Sequence, residues 1–164
     1  MKNLLDRKAV MSTRLSRRGQ SPISIALSFG NADTARVLLD KDATSIHHSD
    51  SAGLTPIHLA TVSGLSSIIE ELVSLGADVN PQSHDGQTPL HFAIRLCRCK
   101  KRQVEVTTAL QQIQQESDDD LSPAEALIQF LINQGSKVDI KDNEGFTPVQ
   151  YARDERVRQM VLRR

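Results

Sequence analysis

The chain has 164 residues, enough for one domain of ordinary size, and 38% of them are hydrophobic. With no Trp, one Tyr and four Phe, its core must be built from Leu, Ile, Val and Ala, which suits thin helical layers. Lys plus Arg and Asp plus Glu number 20 each, so the basic excess of a general nucleic-acid binder is absent.

In chain order, Met1-Lys2-Asn3-Leu4-Leu5-Asp6 lacks the apolar run of a signal peptide, and no segment of the sequence could span a membrane as a helix. Cys97 and Cys99 are too few and too close for a disulfide framework, and a Cys-x-Cys without further ligands does not make a zinc site. Together these features predict an intracellular protein with free thiols, cytoplasmic, or nuclear if the basic residues 98–102 act as an import signal. Leu4-Leu5-Asp6-Arg7-Lys8-Ala9 reads as the end of a helix whose partner precedes it, so the chain is expected to be a piece of a longer array.

From residue 16 onward the dominant signal is repetition. Gly-x-Thr/Ser-Pro occurs as Gly19-Gln20-Ser21-Pro22, Gly53-Leu54-Thr55-Pro56, Gly86-Gln87-Thr88-Pro89 and Gly145-Phe146-Thr147-Pro148. The prolines lie 34, 33 and 59 residues apart, the last interval being 26 longer than its neighbour. Such a period signals stacked supersecondary units. In one unit, Gly53 supplies a left-handed turn, Thr55 caps a helix and Pro56 occupies its first position. Gly64 breaks that helix. Ile68, Ile69, Leu72 and Val73 then form the apolar seam of a second helix, which Gly76 stops. Ala26, Ala60, Ala93 and Ala152 share one position, where small side chains let helices approach closely.

Thr55-Pro56-Ile57-His58-Leu59-Ala60 and Thr88-Pro89-Leu90-His91-Phe92-Ala93 resemble the Thr-Pro-Leu-His-x-Ala signature of the ankyrin-repeat family. Ser21-Pro22-Ile23-Ser24-Ile25-Ala26 and Thr147-Pro148-Val149-Gln150-Tyr151-Ala152 are looser copies. The resemblance implies an all-α solenoid of antiparallel helix pairs with turns projecting from one edge. Its divisions are a partial repeat over 1–15, a first repeat over 16–49, a second over 50–82, a third over 83–141 with an insertion at about 98–121, and a capping repeat over 142–164. The first repeat departs from the pattern, with Ser24 for the signature His, Asp42 for the stopping Gly, and one extra residue.

Within the insertion, Val106, Ala109, Leu110 and Ile113 recur at helical spacing and predict a short amphipathic helix. Basic residues (Arg98, Lys100, Lys101, Arg102) precede it, and acidic residues (Glu116, Asp118, Asp119, Asp120) follow. Either this helix folds back onto the solenoid with its charges solvated, or it projects towards a partner. Ser117, ahead of three aspartates, suits an acid-directed kinase. With no Arg cluster adjacent in sequence, phosphate there is expected to extend the loop.

No catalytic, cofactor-binding or metal motif is present in the sequence. His58 and His91 share a repeat position, which argues for a structural hydrogen bond. His47-His48 lacks further metal ligands. Asp78-Val79-Asn80 after Leu72 resembles the sequence modified by asparaginyl hydroxylases acting on ankyrin repeats; the alternative is that Asn80 simply stabilises its turn. The resemblance places partners on a concave face of turn tips and first helices. Position by position this face comprises Arg17, Arg18, Gln20, Ser28 and Phe29; then Ser51, Ala52, Leu54, Val62 and Ser63. It continues with His84, Asp85, Gln87, Arg95 and Leu96, and ends with Asn143, Glu144, Phe146, Asp154 and Glu155. The expected function is non-enzymatic binding of one or more proteins, as scaffold or adaptor. The rivals are an inhibitor that masks a transcription factor or enzyme, and nucleic-acid binding through residues 98–102, which zero net charge disfavours.

Overall fold

The computed structural model describes residues 16, 19–98, 103–117 and 120–163, which form eight α-helices, two 3₁₀ segments and no strand. Helices α1 (Pro22–Ser28) and α2 (Ala32–Lys41) make the first pair, followed by a 3₁₀ segment (Ala43–His47). Helices α3 (Pro56–Ser63) and α4 (Ser66–Ser74) make the second. The third pairs α5 (Pro89–Cys97) with α7 (Pro123–Asn133), and α6 (Thr108–Glu116) lies between them in sequence. A 3₁₀ segment (Pro148–Tyr151) and α8 (Glu155–Leu162) close the array. The stretch 1–15, read above as a partial repeat, lies outside the described residues, as do Cys99 and the basic residues 100–102.

The first helices form one row, α1 on α3, α3 on α5 and α5 on the second 3₁₀ segment. The second helices pack behind, and a single continuous core runs through both rows. That core is aliphatic, with Leu27, Ile57, Ile68, Ile69, Leu72, Leu90, Leu127, Ile128 and Leu131 fully or almost fully buried. The four equivalent alanines are buried at 7%, 0%, 1% and 3% exposure, as close helix approach requires.

Each first helix starts the same way. Ser21, Thr55, Thr88 and Thr147 are extended, and proline follows at the first helical position, where a missing N–H costs nothing. Helix α7 starts likewise, as a reciprocal capping box. Glu125 Oε2 accepts from the Ser122 N–H at 2.7 Å and its hydroxyl at 2.6 Å.

The histidines tie one repeat to the next. His58 Nδ1 accepts from the Thr55 N–H at 3.2 Å and lies 2.9 Å from its hydroxyl. An accepting Nδ1 fixes the proton on Nε2, which donates to the carbonyl of Gln87 at 3.0 Å. His91 repeats this with Thr88 (3.0 Å) and the carbonyl of Phe146 (3.2 Å). The turn tips are joined too: the Asn143 N–H donates to Asp85 O, and its side-chain amide to His84 O. Gly86 sits under this joint at φ 77°, where a Cβ would meet Asn143 Oδ1 at 2.7 Å.

The insertion folds back. Leu110 has no exposed surface, Ala109 and Ile113 pack against the core, and α6 lies along α7. The segment leading into it grips the second repeat. The Glu105 N–H donates to Gly64 O at 2.8 Å, and Glu105 Oε2 accepts from the Ser67 N–H (3.1 Å) and hydroxyl (2.7 Å). Helix α4 has no side-chain cap of its own, so Glu105 satisfies an orphan donor from a distant part of the chain. The Thr107 hydroxyl donates to Glu70. Gly64, at φ 71°, is what lets this strap approach: a Cβ there would meet Gln103 O at 2.7 Å. Of the two readings of the insertion, the packed one describes the structure.

The last first helix is cut short. The second 3₁₀ segment has four residues where α3 has eight and α5 nine. Ala152 returns to extended backbone, and Asp154 caps α8 by accepting from the Arg156 N–H at 2.9 Å. Asp154 and Glu155, expected on the first helix of that repeat, therefore open its second helix.

Candidate functional site

The face made by the turn tips and the first-helix row carries most of the expected partner-contacting residues. Phe29, at the end of α1, is 85% exposed, and Phe146, at the last tip, is 45% exposed. His84, Asp85, Arg95, Asn143 and Glu144 are exposed, while Gln20, Leu54, Val62 and Gln87 are half-buried. Val62 and Phe29 line one open hollow of about 380 Å3 at the base of the first two first helices. Arg17 and Arg18 lie outside the described residues.

Leu96 does not belong to this face. It is 6% exposed and part of the continuous core. The turn of about 100° per residue carries it away from Arg95's exposed side. Phe29 holds the equivalent place in the first repeat, beyond the end of α1, whereas α5 runs past Leu96 to Cys97.

At the third and fourth repeats a connected aromatic and polar cluster occupies this face. The Arg95 guanidinium carbon lies 5.9 Å from the ring centres of both Phe92 and Tyr151. Arg95 Nη1 donates to Gln87 Oε1 at 2.9 Å. The Tyr151 hydroxyl donates to Asp142 Oδ2 at 2.5 Å, and its ring meets those of His91 and Phe146 edge-on at 5.7 and 6.0 Å. Desolvation of Asp142 opposes its charge, but hydrogen bonds from Tyr151, Phe146 N and Glu144 N outweigh it and hold the carboxyl below the usual range. The same Asp142 bond, with burial, pushes the Tyr151 phenol up. The expectations above include Gln87, Arg95 and Phe146 but omit Phe92, Tyr151 and Asp142. A signal for the two rings is present in the sequence. Ile25, Leu59, Phe92 and Tyr151 share the variable position of Ser/Thr-Pro-x-x-x-Ala, so one column of the repeat forms a row.

The remaining candidates have structural settings. Burial lowers His58 to about 4 and outweighs the carbonyl of Gln87, while burial also lowers His91, so both rings are neutral at pH 7. Burial, followed by the charges of Glu125 and Asp154, pushes the Cys97 thiol up to about 12 and keeps it protonated. No group of His, Cys, Asp and Glu suited to a metal ion occurs among the described residues. Asn80 is half-buried and bridges to the following repeat. Its amide donates to Gly135 O at 3.0 Å, and its oxygen accepts from the Lys137 N–H at 2.7 Å. Ser117, at the end of α6, lines a groove of about 530 Å3 with Arg156 and Arg163. Two arginines remote in sequence thus share its groove, together with Glu116 and Glu155. Among the described residues no helix is long and apolar enough to cross a membrane.

Comparison with known proteins agrees with the repeat architecture. The family model described as ankyrin repeats (3 copies) matches residues 1–83 and 44–112. The chain belongs to the ankyrin-repeat family. It is similar to the Neurogenic locus Notch protein of Drosophila melanogaster, 32% identical over 95 residues, covering 57% of this chain and 4% of that protein. It is also similar to human BCL-6 corepressor-like protein 1, 34% identical over 76 residues, covering 46% of this chain and 4% of that protein. Human Protein phosphatase 1 regulatory subunit 27 is 35% identical over 83 residues, covering 51% of this chain and 53% of that protein. The chain therefore matches a small part of two of these relatives and about half of the third. Ankyrin repeats serve in general as protein–protein interaction modules, and the His58 and His91 joints are among the bonds that tie successive repeats together here.

Proposed function

We propose that this ankyrin array is a non-enzymatic scaffold or adaptor that holds a partner segment along its first-helix face. The observation that carries the reading is the concentration of exposed apolar and aromatic surface there: Phe29 at 85% exposure, Phe146 at 45%, and the rings of Phe92 and Tyr151 beneath Arg95. Aromatic and Arg side chains are the usual carriers of interface energy. In a chain with five aromatic residues of Phe, Tyr or Trp type, four of them on one face make a concentration.

The test is affinity purification with cross-link mapping. The intact chain is compared with a Phe29→Ser/Phe146→Ser variant and with Arg36→Gln on α2. Phe29 is 85% exposed and Phe146 gives up one edge contact with Tyr151, so the variant should remain folded with a small drop in melting temperature, which a thermal melt checks first. Loss of the partner in the phenylalanine variant alone supports the reading; a partner retained there, or cross-linked to the second helices, refutes it.

A second reading, an inhibitor or regulatory subunit that masks an enzyme, is favoured by one observation. Protein phosphatase 1 regulatory subunit 27, named as such a subunit, is matched over about half its length. One stoichiometric partner whose activity falls on binding would select this reading over the scaffold.

A further inference from the structure

Two irregularities of the array meet at the C-terminal end of α5. Helix α3 stops at Gly64, but the equivalent position in the third repeat is Cys97, and the helix runs on to a C-cap at Arg98. On its other side, the next first helix, which packs on α5, ends at Tyr151 after four residues where α5 has nine. The uncovered end of α5 and the chain leaving Ala152 enclose an open basin of about 680 Å3.

Arg95, Arg98 and Arg153 all line this basin, and all three are exposed. Two acids also line it, Glu125 and Asp154, but both are committed. Glu125 Oε2 takes the Ser122 N–H and hydroxyl, and its Oε1 lies 3.8 Å from Arg156. Asp154 Oδ1 caps α8 through the Arg156 N–H. The guanidinium groups are not so committed. Arg95 spends one N–H on Gln87, held between two rings that preorganise it; Arg98 and Arg153 make no ion pair among the described residues. Each guanidinium offers five donors in a fork that matches a carboxylate. The basin thus sets three guanidinium groups against two carboxylates, a formal charge of +1, around the half-buried Cys97, with Ile94 and Val157 almost fully buried beneath.

We infer that this basin anchors an acidic stretch of the partner, its Asp or Glu carboxylates engaging Arg95, Arg98 and Arg153. The inference rests on the proposed use of the first-helix face and adds polarity to it: the partner's acidic part lies at the third and fourth repeats. Arg95 links the basin to the aromatic cluster, so one extended segment can occupy both.

The probe is a fluorescein-labelled peptide of alternating Glu and Leu, followed by anisotropy, with Gln–Leu and Lys–Leu peptides for comparison. The acidic peptide should bind, weaken as salt rises from about 50 to 300 mM, and lose about tenfold or more in affinity to an Arg95→Gln/Arg98→Gln/Arg153→Gln variant. Lys41→Gln, on α2, should bind as the intact chain does. In the intact chain, amide NMR shifts should concentrate at residues 94–98 and 153–157. Equal binding of the Gln–Leu peptide, no binding of the acidic one, or unchanged affinity of a folded triple variant overturns the inference. Shifts confined to Leu54, Phe29 and their neighbours would overturn the acidic anchor yet leave the first-helix face standing. Shifts on the second helices would overturn both.

Discussion

Replacing His58 by Gln should flatten the acid side of the stability profile. In the fold His58 is fully buried, accepts through Nδ1 from Thr55 and donates through Nε2 to Gln87. A second proton would have to enter on Nδ1, facing two donors, in a site that cannot solvate the charge. Burial therefore takes this group down to about 4 from its ordinary 6.5. The sign follows from proton counting. Between those two values the unfolded chain binds the proton and the native chain does not, so stability is full above pH 6.5 and lost as pH falls towards 4. One proton is worth about 1.4 kcal/mol per pH unit. From pH 7 to pH 5 His58 alone should remove about 2 kcal/mol, a large part of a typical total of about 5–15 kcal/mol.

Gln is the informative substitution because the protein already uses it. In the last repeat Gln150 stands where His58 does, and its Oε1 accepts from the Thr147 N–H at 2.7 Å. His58→Gln should keep the cap, lose the bond to Gln87 at a cost of about 1 kcal/mol at pH 7, and remove the titration. Urea unfolding of both chains at pH 7 and pH 5 measures this. The gap between them should shrink, or reverse, by about 2 kcal/mol at the lower pH, about 1 M in midpoint for a slope near 2 kcal/mol/M. Parallel pH dependence in the two chains would refute the assignment of a neutral, buried His58. So would imidazole nitrogen shifts showing the proton on Nδ1.

Leu110→Ala should cost about 2–5 kcal/mol in urea, since its side chain is fully enclosed; a cost near zero would mean the insertion is not docked. Gly64→Ala combines a positive φ of 71° with a Cβ 2.7 Å from Gln103 O, and should lower stability by about 2 kcal/mol and raise proteolysis within 103–107. Asn80→Ala breaks two bonds to the next repeat and should cost about 1–3 kcal/mol in the same assay. Phosphate placed on Ser117 by an acid-directed kinase would enter a groove lined by Arg156 and Arg163 as well as Glu116 and Glu155; if the charge-assisted bonds to the arginines form, the modified protein melts higher than the unmodified one, and a lower melting temperature refutes this pairing.

What was legible in the sequence was what depends on short range. The Ser/Thr-Pro starts follow from neighbouring residues, and the structural role of the two histidines from their shared place in the repeat. The helix in the insertion was legible too, from its spacing. Whether that helix projects or packs was not, because Leu110 and Glu105 find their partners far along the chain. Leu96 misled for a related reason. Repeat alignment places it with Phe29, but Leu96 is inside α5, where its side chain turns into the core while Arg95 and Arg98 stay exposed. The last repeat misled at Arg153-Asp154. Thr147 to Ala152 matches the family signature, yet Asp154 supplies a new cap and starts α8 early. The Tyr151–Asp142 bond joins residues nine apart across a turn, and the stacking of Arg95 joins two repeats, so neither is visible as a local motif.

These departures from regularity concern the same few residues. A regular array buries the end of each first helix under the next one and stops each at a glycine. Here α5 lacks the stop, because the chain must continue into the strap that grips Gly64 and Ser67. Its successor is too short to cover it, because Asp154 restarts the helix. Each change alone would leave either a covered α5 end or a bare one without Arg98. Together they bring three arginines and two carboxylates to one basin, at the edge of a face where Arg95 lies against two rings. Single exposed arginines are ordinary, but three grouped in one basin against two carboxylates form a patch that a carboxylate-bearing segment complements.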